Sequence, residues 1–350
     1  MKFSLFTEIQ CPEGSAPDRR LAEFFEQARL ADELGFRGFW IAEIHCQPRF
    51  SLLSAPYVVL GAVAQQTRRL RLGVAVNTLP VHHPVHLAEQ AAMLDLVSNG
   101  RMDFAAGGGH PHSRVYECFG VDHNVTHEIM AEALAIIRKA WTEETLAFDG
   151  RYFNIPEVVV NPKPVQNPPP PFYMATSSLE GVDWGARLGV NLLLPIHTRT
   201  PEQVEEFAHA YWSGLAAHGH QPKERELGLL VPLHLAASKE AAEARSEDGI
   251  VSYFNTIAAM RESYTAWLTR RGAPLPARLR TAAGALQPFA TICQRHAVVG
   301  DSRHAIAALE NLACKTGASH FMLWMNIGSV PHEAVTESMR QFAAEVMPAL

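Results

Sequence analysis

Glu43 and His45 stand two residues apart in GFWIAEIH, where an apolar run ends. Residues at alternate strand positions share a face, so the carboxylate can orient the imidazole while the ring moves a proton. A lone histidine at a strand end is more often structural, and Glu43 equally suits an ion pair with a basic residue. Gly107-Gly108-Gly109 closes a second apolar run, MDFAAGGG. Bare backbone there lets a flat ligand or a phosphate lie against main-chain N–H groups. Tight strand-to-loop packing would use the same glycines. They do not form a G-x-G-x-x-G opening a helix, so nothing points to a nicotinamide dinucleotide. Thr176-Ser177-Ser178 sits between a strand and a helix, where hydroxyls and free N–H groups suit a phosphate. Any one of these serines would also serve as an ordinary N-cap.

His110-x-His112 raises metal chemistry, with His197 and His234 as further ligands. The last strand ends in Trp324-Met325-Asn326 without an acid, and the first ends in Thr7-Glu8 without a histidine. No metal is therefore expected. His82, His83 and His86 read as caps or flanks of a helix. The stretch 270–287 holds Arg270, Arg271, Arg278 and Arg280 and no acid. It reads as a solvated loop or, within a candidate lid over about 262–292, as a cover for the site.

These residues need elements to position them. Strands are expected at 2–9, 38–44, 70–78, 102–106, 172–175, 191–196, 227–236 and 320–326. Helical spacing falls at 18–34, 55–67, 86–97, 129–140, 179–188, 201 onward, 238–268, from 301 or 302, and 335–346. Thr200-Pro201-Glu202-Gln203 is a capping box. A hairpin turned at Asp149-Gly150, followed by six prolines between 162 and 171, reads as an insertion (148–171) with a rigid external connection. Eight strands alternating with helices predict parallel strands closed into a (β/α)8 TIM barrel, one domain over 1–350. The site then lies at the strands' carboxyl ends.

The 350 residues are 47% hydrophobic and carry a net charge of −6, which excludes a nucleic-acid partner. MKFSLFTEIQ lacks the apolar core of a signal peptide, and no run reaches the ~20 apolar residues of a membrane span. Five cysteines (11, 46, 118, 293, 314), odd in number and without a C-x-x-C pair, suit reduced thiols in the cytoplasm.

With these residues in view, the chain resembles the bacterial luciferase-like flavin monooxygenases. The resemblance is carried by ADELGFRGFWIAEIH (31–45), SAPYVVLGAVAQQTRRLRLG (54–73), LPVHHPVHLAEQAAMLDLVSNGRMDFAAGGG (79–109), GRYFNIPEVVVNPKPVQNPPPPFYMATSS (150–178) and VVGD (298–301). It implies a TIM-like barrel, usually dimeric, using reduced flavin and O2. It sets the Ala75–Val76 bond where the family often has a non-prolyl cis peptide beside the flavin ring, followed by Asn77. Gly107 stands where luciferase has a reactive Cys, and Ser177 and Ser178 fall on the phosphate-binding turn. His45 matches the second of two adjacent family histidines. The first, to which luciferase chemistry is assigned, is Ile44 here. The Arg that meets the flavin phosphate there is Gly108 here, so another Arg would have to hold the phosphate. Light emission from a long-chain aldehyde is not expected.

The expected protein is an FMNH2- and O2-dependent monooxygenase of a two-component system. A separate NAD(P)H:flavin reductase supplies reduced FMN, and a C4a-(hydro)peroxyflavin places one oxygen atom on a small organic substrate. Catalysis falls to His45 and Glu43. FMN is held by Ala75, Val76, Asn77, Gly107, Gly108, Thr176, Ser177 and Ser178. Phe6, His110, His112, His197 and Trp324 line the substrate pocket. The alternatives are an F420-dependent hydride-transfer enzyme on the same fold and a non-catalytic flavin-binding or partner subunit.

Overall fold

A computed structural model describes residues 1–48, 50–109, 114–275 and 287–350. In chain order the strands are β1 (Lys2–Thr7), β2 (Gly38–Ile41), β3 (Arg71–Thr78), β4 (Met102–Gly107), β5 (Leu146–Asp149), β6 (Asn154–Val158), β7 (Phe172–Ala175), β8 (Asn191–Pro195), β9 (Leu227–Leu235), β10 (Val298–Gly300) and β11 (His320–Trp324). The helices are α1 (Pro17–Leu34), α2 (Pro56–Gln66), α3 (Pro84–Val97), α4 (Val115–Phe119), α5 (Thr126–Thr142), α6 (Leu179–Leu188), α7 (Pro201–Ala217), α8 (Lys239–Arg270), α9 (Phe289–Arg295), α10 (Ser302–Thr316) and α11 (His332–Gln341).

Eight strands pair in parallel in the order β1-β2-β3-β4-β7-β8-β9-β11, and β11 returns to β1. That closure makes the expected barrel. The structure adds β10, which pairs with the carboxyl end of β9 at Val298↔Leu233 and was not expected from the sequence. Its three residues are too few to show a period. β2 ends at Ile41 rather than Ile44, so Glu43 and His45 lie on the loop beyond the strand.

The amino end of the barrel is plugged by paired polar groups. Lys2 pairs with Glu226, Tyr173 Oη donates to the same carboxylate at 3.0 Å, and Ser4 Oγ meets His320 Nε2 at 2.7 Å. Above them Trp40 crosses the interior over Gly73, where an added Cβ would lie 2.2 Å from the indole. Only a residue without a side chain leaves room for that ring. This end is filled, so the open end is the other one.

The insertion is a hairpin of β5 and β6 with its turn over 150–153, not at Asp149-Gly150. Glu132 of α5 accepts from the N–H groups of Arg151, Tyr152 and Phe153, which sets that turn. The proline-rich connection is external and anchored. Asp95 of α3, fully buried, accepts from the N–H groups of Val165 and Gln166 at 2.8 and 3.0 Å. The stretch 262–292, the candidate lid, is described only at its two ends. α8 continues to Arg270 with Tyr264 and Leu268 buried, and α9 begins at Phe289; residues 276–286 lie outside the described residues.

Candidate active site

Two groups of side chains stand at the carboxyl ends of the strands. The first is built on Glu43. Its buried carboxylate accepts from His45 Nε2 at 2.9 Å and His82 Nε2 at 2.5 Å through one oxygen, and from the Thr78 N–H at 2.6 Å through the other. Burial alone would raise this carboxyl, but the hydrogen bonds from His45 and His82, the nearby His82 charge and the Thr78 N–H hold it at about 2. An ionised carboxylate only accepts, so both Nε2 atoms carry hydrogens and Nδ1 is the position of each ring at which a proton can be exchanged. Both rings are partly exposed. The Glu43–His45 pairing is as expected. His82 is a correction: it does not cap α3, whose N-cap His83 makes no side-chain cap bond, but completes this cluster. The three ligand atoms lie within 4.8 Å of one another, a spacing that a divalent cation could also use.

The second group is aromatic. Trp324 is fully buried and meets Phe6 at 5.3 Å, His197 at 5.4 Å and Tyr253 at 4.6 Å between ring centroids. The structure thus brings together three of the expected pocket residues and adds Tyr253 from α8. His110 and His112 lie outside the described residues. Burial, with His296 nearby, pushes His197 down to about 3, so its ring is neutral. Trp324 Nε1, His197 Nδ1 and Asn326 Oδ1 are buried without a hydrogen-bond partner among the described residues. Glu8, beyond β1, is buried too. Burial pushes its carboxyl up to about 8 against the single hydrogen bond from Gln10 Nε2 at 2.6 Å, so it is a neutral acid at pH 7.

The tips of β3 and β4 carry a third set of residues. The Ala75–Val76 bond is cis, as the resemblance implied, and both residues are partly exposed. Asn77 is different from expectation: Tyr57 Oη donates to its Oδ1 and its Nδ2 donates to the Ala105 carbonyl, both at 2.9 Å. Its side chain therefore fixes the strand tip and has little left for a ligand. Gly107 abuts Val76, where a Cβ would come within 2.6 Å of Cγ2, and Tyr116 Oη donates to the Gly108 carbonyl.

Ser178 caps α6 through its Oγ and the Gly181 N–H at 3.2 Å, while Thr176 and Ser177 stand before it, partly exposed. Arg199, just beyond β8, donates through Nε to the Ser177 carbonyl at 3.0 Å. The guanidinium, bonded to the Ser177 and Thr198 carbonyls, thus stands beside the hydroxyl turn at a helix start, a setting that suits an anion. The resemblance calls for another Arg in place of the one lost at Gly108, and Arg199 stands where such a residue is needed. Its only signal is a place at a strand tip, immediately before the capping box of α7. That box is present as expected.

The family model for luciferase-like monooxygenases matches residues 1–320. This chain belongs to the luciferase-like monooxygenase family. Membership makes it an enzyme of the flavin-dependent monooxygenase class. The oxygenase component of the flavin-dependent trigonelline monooxygenase of Acinetobacter baylyi is 27% identical over 100% of this chain and 95% of that protein. Among solved structures, the monooxygenase RslO1 of Streptomyces bottropensis superposes with a TM-score of 0.84 at 25% identity, covering 100% of this chain and 99% of that one. The oxygenating constituent of 3,6-diketocamphane monooxygenase from the CAM plasmid of Pseudomonas putida, solved with FMN, gives 0.81 at 15% identity, covering 100% and 98%. The latter likeness is one of fold. Among the described residues no helix is long and apolar enough to cross a membrane.

Proposed function

We propose that this luciferase-like monooxygenase is the oxygenase half of a two-component system that takes reduced FMN from a separate NAD(P)H-dependent reductase. The observation that carries the reading is the clasp of Arg199 on the hydroxyl turn 176–178. It offers a phosphate a fixed cation, hydroxyls and the first N–H groups of α6. The residues fit FMN, with its phosphate on Thr176, Ser177, Ser178 and Arg199. Its ring would lie against Ala75, Val76, Gly107 and Gly108. When bound, reduced FMN would supply the two electrons that activate O2, one atom of which goes to substrate while the other leaves as water.

The chain's own residues do the rest. Ionised Glu43 orients His45 and His82 through their Nε2 atoms, so that either ring can exchange a proton with substrate at Nδ1. Phe6, Trp324, Tyr253 and His197 wall off water on the opposite rim. At neutral pH that rim is uncharged, since Glu8 is protonated and His197 is neutral. It suits a small, uncharged cyclic or aromatic substrate whose polar group meets the Trp324 N–H. Hydroxylation and Baeyer–Villiger insertion both fit this arrangement.

The enzyme acts as a cytoplasmic homodimer in this reading. Val58 of α2 and Met93, Leu96 and Val97 of α3 are exposed apolar side chains on two helices that pack together. Such a patch on early helices suits a second copy.

The test is direct. The protein is mixed with a flavin reductase, NAD(P)H, FMN and isotope-labelled O2, against small ketones, phenols and N-heterocycles. Transfer of one labelled atom to product is expected. Quenching titrations with FMN, riboflavin and F420 decide the cofactor, and tighter binding of F420 than of FMN would replace this reading with hydride transfer.

A further inference from the structure

Cys46 and Cys118 are 72 positions apart in sequence, yet the Cys118 thiol stands close enough to Cys46 to hold its pKa above the ordinary value. A ring contact between their chain neighbours brings them together. Cys46 follows His45 on the loop beyond β2, and Cys118 precedes Phe119 on α4. The His45 and Phe119 rings meet edge to face with centroids 5.0 Å apart. α4 is itself held on its other side, where Tyr264 Oη of α8 donates to Glu117 Oε1 at 2.6 Å and Arg114 lies 5.7 Å over the Trp267 ring. Both cysteines are exposed and free, so a small oxidant reaches either sulfur.

We propose that Cys46 and Cys118 form a reactive dithiol, a modification site that hydroperoxides close to a disulfide. One of the two sulfurs attacks a peroxide oxygen; an S–O bond forms, the O–O bond breaks and, for hydrogen peroxide, water leaves. The other sulfur then attacks the resulting sulfenic sulfur, an S–S bond forms, the S–O bond breaks and a second water leaves. The two thiols lose two electrons and two protons, and the peroxide is reduced to two waters. The bridge would tie the loop carrying His45 to α4 and fix one rim of the mouth. This inference does not rest on the flavin reading.

The test uses the full chain, treated with hydrogen peroxide, alkylated under denaturing conditions and mapped by mass spectrometry. A peptide pair linked through Cys46 and Cys118, lost on reduction with dithiothreitol, is the expected result. Cys314, exposed on α10, is the internal control and stays alkylatable at low peroxide. In Cys46→Ser the link disappears and Cys118 is trapped as sulfenic acid by dimedone. The proposal is overturned if both thiols alkylate at the rate of Cys314 after peroxide, or if the linkage formed joins other cysteines or two chains.

Discussion

His82 donates to Glu43 at 2.5 Å across 39 residues of sequence, and the same carboxylate oxygen receives His45. The carboxylate thus holds two bases, not one. Replacing either with glutamine removes one Nδ1 base but keeps a donor for Glu43. His45→Gln and His82→Gln should each lower kcat, by roughly 10²-fold if that ring carries the proton. KM for substrate and Kd for FMN should move little. Steady-state kinetics with a saturating reductase checks this; an unchanged kcat in both variants would remove the cluster from catalysis.

Arg199 gives a sharper test of the cofactor site. Arg199→Gln should weaken FMN binding by roughly tenfold or more, the loss expected for a charge-assisted hydrogen bond. Riboflavin, which lacks the phosphate, should bind wild type and variant alike. Parallel loss of both affinities would mean that the arginine only supports the turn.

Glu8 should make stability fall with rising pH. Its folded pKa, about 8, is raised above the unfolded value near 4.5. The contribution is therefore fully present below about 4.5 and is lost as pH rises through 8. Thermal melts from pH 5 to 9 should show a decline that Glu8→Gln flattens. Glu43 works in the opposite sense. Its folded pKa of about 2 lies below the unfolded value, so its contribution holds above about 4.5 and disappears as pH falls toward 2.

Gly107 and Val76 should be coupled. Gly107→Ala puts a methyl within 2.6 Å of Val76 Cγ2, and overpacking of this kind costs about 1–3 kcal/mol. Val76→Ala should relieve most of that cost in the double variant. Urea denaturation of the four proteins measures the coupling, and simple additivity would show that the two residues do not compete for space.

By itself the sequence determined the barrel and most of its parts. Repeating apolar runs and helical stripes place the eight strands and their helices, because burial imposes a period of two or 3.6 on whichever residues face the core. Capping chemistry is equally local: Thr200, Ser178 and Asp301 cap their helices as their positions suggest. Glu43 with His45, and Phe6 with His197 and Trp324, were legible because strand tips converge in a closed barrel. What the tertiary structure alone decided is which loop residues meet. His82 reads as a helix flank until the loop after β3 folds toward Glu43. Asn77 reads as a ligand until Tyr57 and Ala105 occupy it, and Arg199 is an ordinary surface arginine until β7 and β8 lie side by side. The physical reason is the same each time. Loop side chains follow no period, so their partners are set by distances through space that spacing along the chain does not encode.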